Sequence, residues 1–358
     1  MKGADRKSIV RDQLHEMGVR IYDLLDSGKY PDIEMPSRSV KNIEYDPKLR
    51  QYVLGPTSVK RNAKNIKHIR PFTQLVWLAS FSKELLSNRK TSTLRDIFYS
   101  AQAYNIDFED QNESDEVITE LESILGKARE DFNVYPEERS AIFGDLTIEY
   151  TVPGYEGKRL DLTSHPDGVM IGPALTTAAF AQTNAEMVLV IEKGALFTRF
   201  VEEKVYKKYN AILIDTVGQP PRSTRYMIRR LHEELGLPVY VFTDADPWGM
   251  HIAMVIISGS ANAAHLRELT TPDAKWAGVW ASDINKYKLP HDPLTELDVK
   301  RLFELKSDPR YGEKLWKDEM ATFLKYKRKA EQEAFARYGL TYIVDKYLPD
   351  KLKLLKEQ

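Results

Sequence analysis

Cysteine is absent from the 358 residues of this chain. Without thiols the chain cannot form disulfide bonds, bind zinc through thiolates or use a cysteine nucleophile. A large excess of one charge is also missing, because 52 Lys and Arg residues stand against 53 Asp and Glu residues. Any surface that binds nucleic acid must therefore come from basic residues segregated on one part of the chain.

Long apolar runs and a nucleotide-binding loop are missing as well. No stretch reaches the roughly 18 uninterrupted apolar residues of a membrane span, and the charged start MKGADRKSIVRD lacks the apolar core of a signal peptide. No G-x-x-x-x-G-K-[ST] motif occurs, so the chain offers no P-loop and no candidate ATP site. We expect a cytoplasmic protein, without a membrane partner, that is long enough for two or three domains.

Two carboxylates one residue apart follow an apolar run in the stretch VYVFTDADPWG, residues 239–249. The run predicts a buried strand, and Pro247 favours the start of a helix with Asp246 as its N-cap. In extended backbone Asp244 and Asp246 point the same way, beyond the strand end where open α/β sheets place their sites. Two such oxygen ligands suit Mg2+, although a D-x-D more often only ends a strand and caps a helix.

A second apolar run, MVLVIE at residues 187–192, also closes on a carboxylate, Glu192. Strand and helix patterns then alternate up to residue 259, which predicts a mostly parallel α/β sheet. A Glu after one strand and D-x-D after a later strand resembles the acidic pattern of the Toprim fold. That fold occurs in topoisomerases, primases and some nucleases.

The first 70 residues combine an amphipathic helix with an irregular arm. The helix carries one apolar stripe, which either packs on its own domain or contacts a partner chain. The arm ends in a basic cluster that is either a solvated face or a contact to phosphates. The cluster consists of Lys60, Arg61, Lys64, Lys67 and Arg70.

Residues 71–152 predict three helices followed by a β-hairpin, which is the order of a winged helix. The second helix begins with a capping box of Thr93 and Asp96, and the third is predicted to begin at Ser114. The hairpin is predicted from residues 141–143 and 146–150, with a turn at Gly144 and Asp145 between them.

The second of these helices contains the sequence LRDIFY, residues 94–99. Together with the acidic strand ends it resembles the type IIB topoisomerase family, which comprises the A subunit of topoisomerase VI and the transesterase that makes meiotic double-strand breaks. Further matching segments are Ile-Glu-Lys at 191–193, Gly-Gln-Pro at 218–220, Thr-Arg at 224–225 and TDADPWG at 243–249. The family commonly has Gly where this chain has Ala245.

The resemblance implies the fold and the site residues. It implies an α/β multidomain protein with an N-terminal helix and basic arm (1–70), a winged-helix, CAP-like domain (71–152) and a Toprim domain with a helical extension (153–358). Tyr99 would attack a DNA phosphodiester, with Arg95 one helical turn away. Glu192, Asp244 and Asp246 would bind the Mg2+ that stabilises charge on the phosphate. The phosphotyrosyl link keeps the phosphodiester energy, so the chemical step needs no organic cofactor.

The resemblance also implies an assembly. Tyr99 of one protomer would meet the metal site of the other in a homodimer that cuts both strands of double-stranded DNA. An ATPase B subunit would bind ATP and complete an A2B2 heterotetramer that passes one duplex through another, near the nucleoid of an archaeon-like cell. Alternatives are a Toprim nuclease that uses water, a break-forming transesterase without strand passage, and a DNA-binding scaffold without chemistry.

Overall fold

The computed structural model describes residues 3–136 and 139–357. Contacts divide the chain into two compact units. The first consists of Met1–Glu44, Tyr52–Glu137 and Ala261–Arg267; the second consists of Tyr45–Gln51, Glu138–Ser260 and Glu268–Gln358. Within the described ranges, no helix is both long enough and apolar enough to cross a membrane.

The first unit is mainly helical. Its α-helices are Gly3–Asp26, Ile66–Ser87, Leu94–Ala103 and Gln111–Leu125. Its strands Asp32–Pro36 and Ser58–Asn62 are antiparallel, and Ser92–Thr93 pairs in parallel with Val134–Tyr135. A further hairpin, Ile43–Asp46 with Gln51–Leu54, has its turn in the second unit.

The apolar stripe of the first helix is buried in the core of its own unit. Val10, Leu14 and Ile21 share this core with Leu75 and Leu78 of the helix Ile66–Ser87. Burial of these side chains stabilises the unit through the removal of apolar surface from water. The stripe therefore packs within the unit, and any partner contact has to use another face of this helix.

Two of the predicted helix starts can be compared with the structure. The capping box of Thr93 and Asp96 is confirmed, with both reciprocal hydrogen bonds present. The predicted start of the third helix at Ser114 is wrong by three residues, because the helix begins at Gln111. Asp110 is the N-cap and accepts a hydrogen bond from the backbone of Glu113, whereas Ser114 is buried inside the first turn.

A six-stranded sheet forms the centre of the second unit. Its spatial order is Val169–Met170, Ala141–Phe143, Ala211–Asp215, Met187–Ile191, Val239–Phe242 and Lys275–Gly278. The last four strands are parallel, as the alternating pattern predicted, and the first two are antiparallel additions. Every residue of the three central strands is buried, which suits a sheet covered by helices on both faces.

The hairpin predicted at residues 141–150 does not form. Ala141–Phe143 pairs with Ala211–Asp215 in the central sheet, whereas Leu146–Glu149 joins a separate sheet. The chain turns between the two at Gly144, which has a φ of +145°, and a Cβ there would lie 2.9 Å from the carbonyl oxygen of Ala211. The turn residues were recognised correctly, but they mark a corner between two sheets.

The remaining elements flank these sheets. The separate sheet contains Ala179–Thr183, Leu146–Glu149 and Arg159–Asp161. Helices that alternate with the central strands are Pro173–Thr177, Gly194–Glu202, Val205–Lys208, Arg222–Leu235 and Pro247–Ser258. The C-terminal part adds helices Ala281–Lys286, Glu296–Ser307, Lys314–Tyr326 and Leu348–Lys356, with the strand pair Asp292–Pro293 and Arg328–Lys329.

Candidate active site

Parallel strand pairing brings the two acidic strand ends together. Ile191 lies opposite Phe242 in the register of the central sheet, so Glu192 and Asp244 leave the sheet at the same edge. One carboxylate oxygen of Glu192, Oε2, accepts a hydrogen bond from the backbone N–H of Asp244 at 2.9 Å. The contact joins two segments that lie about fifty residues apart in the sequence.

Asp246 is the N-cap of the helix that follows. Its Oδ1 accepts a hydrogen bond from the backbone N–H of Gly249 at 2.6 Å, and Pro247 occupies the first turn, as predicted. Gly249 is required here because a Cβ would lie 2.3 Å from the carbonyl oxygen of Asp244. The D-x-D-P-x-G segment therefore packs its own backbone tightly, which holds both aspartates at the sheet edge.

Burial raises the pKa of all three predicted metal ligands. Burial and the neighbouring charge of Asp244 raise the pKa of Glu192 to about 8. Burial raises the pKa of Asp244 to about 6, although the N–H of Gln332 and the ammonium of Lys193 oppose the shift. Burial also raises the pKa of Asp246. The three carboxylates offer the oxygen ligands that Mg2+ prefers, and their partial burial disfavours charge that no cation balances.

A distant segment of the chain completes the site, and sequence reasoning missed it. Residues 330–333 return to the D-x-D segment, where Ala330 and Ala245 exchange backbone hydrogen bonds at 2.9 and 3.1 Å. The backbone N–H of Gln332 donates to Asp244 Oδ1 at 2.9 Å. Carboxylate oxygens of Asp244, Glu331 and Glu333 all lie within 4.8 Å of one another, so this cluster shares only Asp244 with the predicted trio.

Lys193 is the cationic member of the cluster. Its Nζ lies 3.1 Å from Asp244 Oδ2 and also contacts the carboxylate of Glu331. The residue was part of the Ile-Glu-Lys match, but nothing in the local sequence indicates its two partners.

A further acidic strand end was not singled out from the sequence. The stretch AILID, residues 211–215, is an apolar run that closes on a carboxylate, as MVLVIE does. Its last residue, Asp215, is buried and lies beside Ile191 in the parallel pairing of the two strands.

Tyr99 and Arg95 lie together in the first unit, on the helix Leu94–Ala103. Tyr99 is 53% exposed, so the residue is accessible from the solvent. The Arg95 guanidinium carbon lies 5.8 Å from the centre of the Tyr99 ring, and Phe98 contacts the ring edge-on. The predicted site residues thus fall into two groups, with the tyrosine in one unit and the three carboxylates in the other.

Ion pairs neutralise much of the basic cluster at the end of the arm. Lys60 pairs with Glu34, and Arg61 pairs with Glu120. Arg70 pairs with two carboxylates, those of Glu109 and Glu113. These three cations therefore contribute less to a DNA-binding surface than their number suggests.

Sequence profiles of two protein domains match the two groups of site residues separately. The profile of the Toprim domain that the topoisomerase 6 A subunit shares with Spo11 matches residues 187–352, which include all three predicted ligands. A profile described as "Type IIB DNA topoisomerase" matches residues 70–134, which include Tyr99. The second unit thus contains a Toprim domain, and the chain falls in the class of type IIB DNA topoisomerases.

Similarity to individual proteins along nearly the whole chain shows which subunit of this class the chain corresponds to. The chain is 44% identical to the A subunit of type 2 DNA topoisomerase 6 from Methanothermobacter thermautotrophicus, over 99% of this chain and 100% of the relative. The corresponding proteins of Archaeoglobus fulgidus and Halobacterium salinarum are 38% and 37% identical, over 94% and 96% of this chain and 94% and 95% of the relatives. This chain belongs to the family of topoisomerase 6 A subunits.

Proposed function

We propose that this chain is the DNA-cleaving subunit of an ATP-dependent type IIB topoisomerase, which makes a transient double-strand break for duplex passage. The observation that carries the proposal is the meeting of Glu192, Asp244 and Asp246 at one sheet edge of a Toprim domain. The same chain carries an exposed tyrosine, Tyr99, within the stretch that matches the type IIB profile.

In the proposed reaction the Tyr99 hydroxyl oxygen attacks a backbone phosphorus atom of DNA. The hydroxyl gives up its proton as a Tyr O–P bond forms, the bond from phosphorus to a deoxyribose oxygen breaks, and that oxygen takes up a proton. The phosphotyrosyl link keeps the energy of the broken bond, so the reverse attack reseals the strand. Arg95, whose guanidinium carbon lies 5.8 Å from the centre of the Tyr99 ring, is placed to attract the phosphate.

Glu192, Asp244 and Asp246 are the residues that we propose to hold Mg2+. When bound, Mg2+ would neutralise the charge that develops on the phosphate and on the leaving oxygen. The role of the protein is to hold these carboxylates at one edge of the sheet, which the Asp246 cap and the hydrogen bond from the backbone N–H of Asp244 to Glu192 support. Glu331 and Glu333 add negative charge beside them.

The proposed assembly contains two copies of this chain, with the tyrosine of one copy serving the metal site of the other. The relatives are named as A subunits, which supports a second kind of subunit, and we propose that this second kind binds ATP. We propose that this ATP-binding subunit contacts the solvent-exposed face of the helix Gly3–Asp26, where Val19, Tyr22 and Leu25 are exposed. A groove of about 720 Å³ lies along the same helix. We also propose that the predicted winged-helix, CAP-like domain (71–152) takes its helical part from the helices Ile66–Ser87, Leu94–Ala103 and Gln111–Leu125.

A covalent-trapping assay tests the proposal. The protein, with its ATPase partner, Mg2+ and ATP, is mixed with supercoiled DNA, denatured and digested with protease. We expect linear DNA that carries protein, and we expect Tyr99→Phe to abolish it. Tyr104→Phe is the matched control, because Tyr104 is also exposed and lies just beyond the same helix.

The outcomes separate the proposed reaction from its alternatives. Protein-linked DNA from Tyr99→Phe would remove Tyr99 from the mechanism. Linear DNA with free ends would indicate a nuclease that uses water. Linked DNA without relaxation or decatenation would indicate a break-forming enzyme that does not pass strands, and the absence of any cleavage would favour a scaffold.

A further inference from the structure

Both carboxylate oxygens of Asp244 already have a donor. Oδ1 accepts the N–H of Gln332 at 2.9 Å, and Oδ2 lies 3.1 Å from Lys193 Nζ. The same ammonium contacts Glu331, so it lies between two carboxylates. A metal ion that binds Asp244 through Oδ2 therefore competes with the ammonium of Lys193 for that oxygen.

We propose that Lys193 is an internal counter-ion, which neutralises Asp244 until a divalent cation binds and then stays on Glu331. This inference rests on the proposed function, because it takes Asp244 as a metal ligand. Lys193 is a positioning residue in this scheme, since it acts on the metal site through Asp244.

The surroundings of Lys193 suit this exchange. Its side chain is 32% exposed and that of Glu331 is 62% exposed, so water and ions reach the pair. Lys carries a compact charge on a flexible stem, which allows a short movement without a change in the backbone. Because the ammonium contacts both carboxylates, it keeps one partner when it loses the other.

The charge balance of the site gives a reason for such a counter-ion. Glu192 is partly buried and Asp244 is buried, and a hydrogen bond joins the two residues, so their negative charges repel each other when both are ionised. The Nζ of Lys193 contacts the carboxylates of both Asp244 and Glu331, so it places one positive charge among these acidic groups. Lys193 can therefore hold the carboxylates together in the free protein.

Calorimetric titration of the full chain with Mg2+, without DNA, tests the displacement directly. We expect Lys193→Met to bind Mg2+ about tenfold more tightly than the wild type, because the ion no longer competes with an ammonium. Lys329→Met is the matched control, since Lys329 pairs with Asp298 but also lies near enough to influence Asp246. This control removes the same charge, and we expect a change of less than about threefold.

A double-mutant cycle tests the part played by Glu331. Glu331→Gln should weaken Mg2+ binding in the wild type, because Lys193 then stays on Asp244, and should have little effect in Lys193→Met. If Glu331 were itself a metal ligand, Glu331→Gln would weaken binding in both backgrounds, which would overturn this part of the proposal. Glu333→Gln is the control for the loss of one negative charge in the same cluster.

The outcomes distinguish the inference from the proposed function. Mg2+ binding that is lost in Asp246→Asn but unchanged in Lys193→Met would overturn the counter-ion and keep the metal site. An absence of Mg2+ binding in every variant and in the wild type would overturn both. Circular dichroism verifies that each variant is folded, and Lys193→Gln replaces Lys193→Met if the latter fails to fold.

Discussion

Replacing Glu192 by Gln should stabilise the metal-free protein, and the gain should grow as the pH rises. The amide oxygen of Gln can still accept the N–H of Asp244, which donates to Glu192 at 2.9 Å in the structure. The substitution therefore removes a charge that burial and Asp244 disfavour, while the shape and the hydrogen bond are kept. The same change should weaken Mg2+ binding if Glu192 is a ligand.

The magnitude follows from the pKa of Glu192, which is raised from 4.5 to about 8. Because the folded-state pKa is the higher one, the stabilising contribution of this carboxyl is complete at low pH and is lost as the pH rises from 4.5 to about 8. Integration over this window gives a loss of about 1 kcal/mol by roughly pH 5 and about 4 kcal/mol by roughly pH 8. Glu192→Gln has no such loss.

Urea unfolding in EDTA, followed by tryptophan fluorescence, measures this difference. Buried Trp276, Trp280 and Trp316 all lie in the second unit and report its unfolding. We expect the advantage of Glu192→Gln over the wild type to increase by about 3 kcal/mol between roughly pH 5 and pH 8. An advantage that does not change with pH would refute the argument that burial disfavours this charge. Glu186→Gln, an exposed site at the other end of the same strand, is the control.

Two further substitutions separate structural from functional roles. Asp246→Ala should lower the free energy of unfolding by about 1 kcal/mol more than Asp246→Asn, because only Asn can still accept the N–H of Gly249. Both variants should weaken Mg2+ binding. Equal Mg2+ affinity in Asp246→Asn and the wild type would show that Asp246 acts only as a helix cap. Glu122→Ala should destabilise the first unit by about 3–5 kcal/mol, because the buried guanidinium of Arg129 and the buried ring of His265 lose the carboxylate that they contact. Thermal or urea unfolding measures this loss. A loss below about 1 kcal/mol would contradict this reasoning.

Local sequence was sufficient for the features that depend on short-range physics. Uninterrupted apolar runs predicted the buried strands Met187–Ile191 and Val239–Phe242, because strands covered on both faces need apolar side chains throughout. Pro247 and Asp246 predicted the helix start, and Thr93 with Asp96 predicted the capping box. The alternation of strands and helices predicted a parallel sheet, and the resemblance to the Toprim pattern implied that the two acidic strand ends serve one site.

Features that depend on pairing between distant segments could not be read from the chain. The antiparallel addition of residues 141–143 to the central sheet was missed, because a turn signal does not specify which strand is the partner. The contacts of Lys193 and of residues 330–333 with Asp244 were missed for the same reason, since the partners are separated by 51 and 88 residues. Local patterns identify which carboxylates end their strands. The surroundings that raise the pKa of these carboxylates and supply their counter-ion exist only after the chain has folded, because burial and charge proximity are properties of three-dimensional packing.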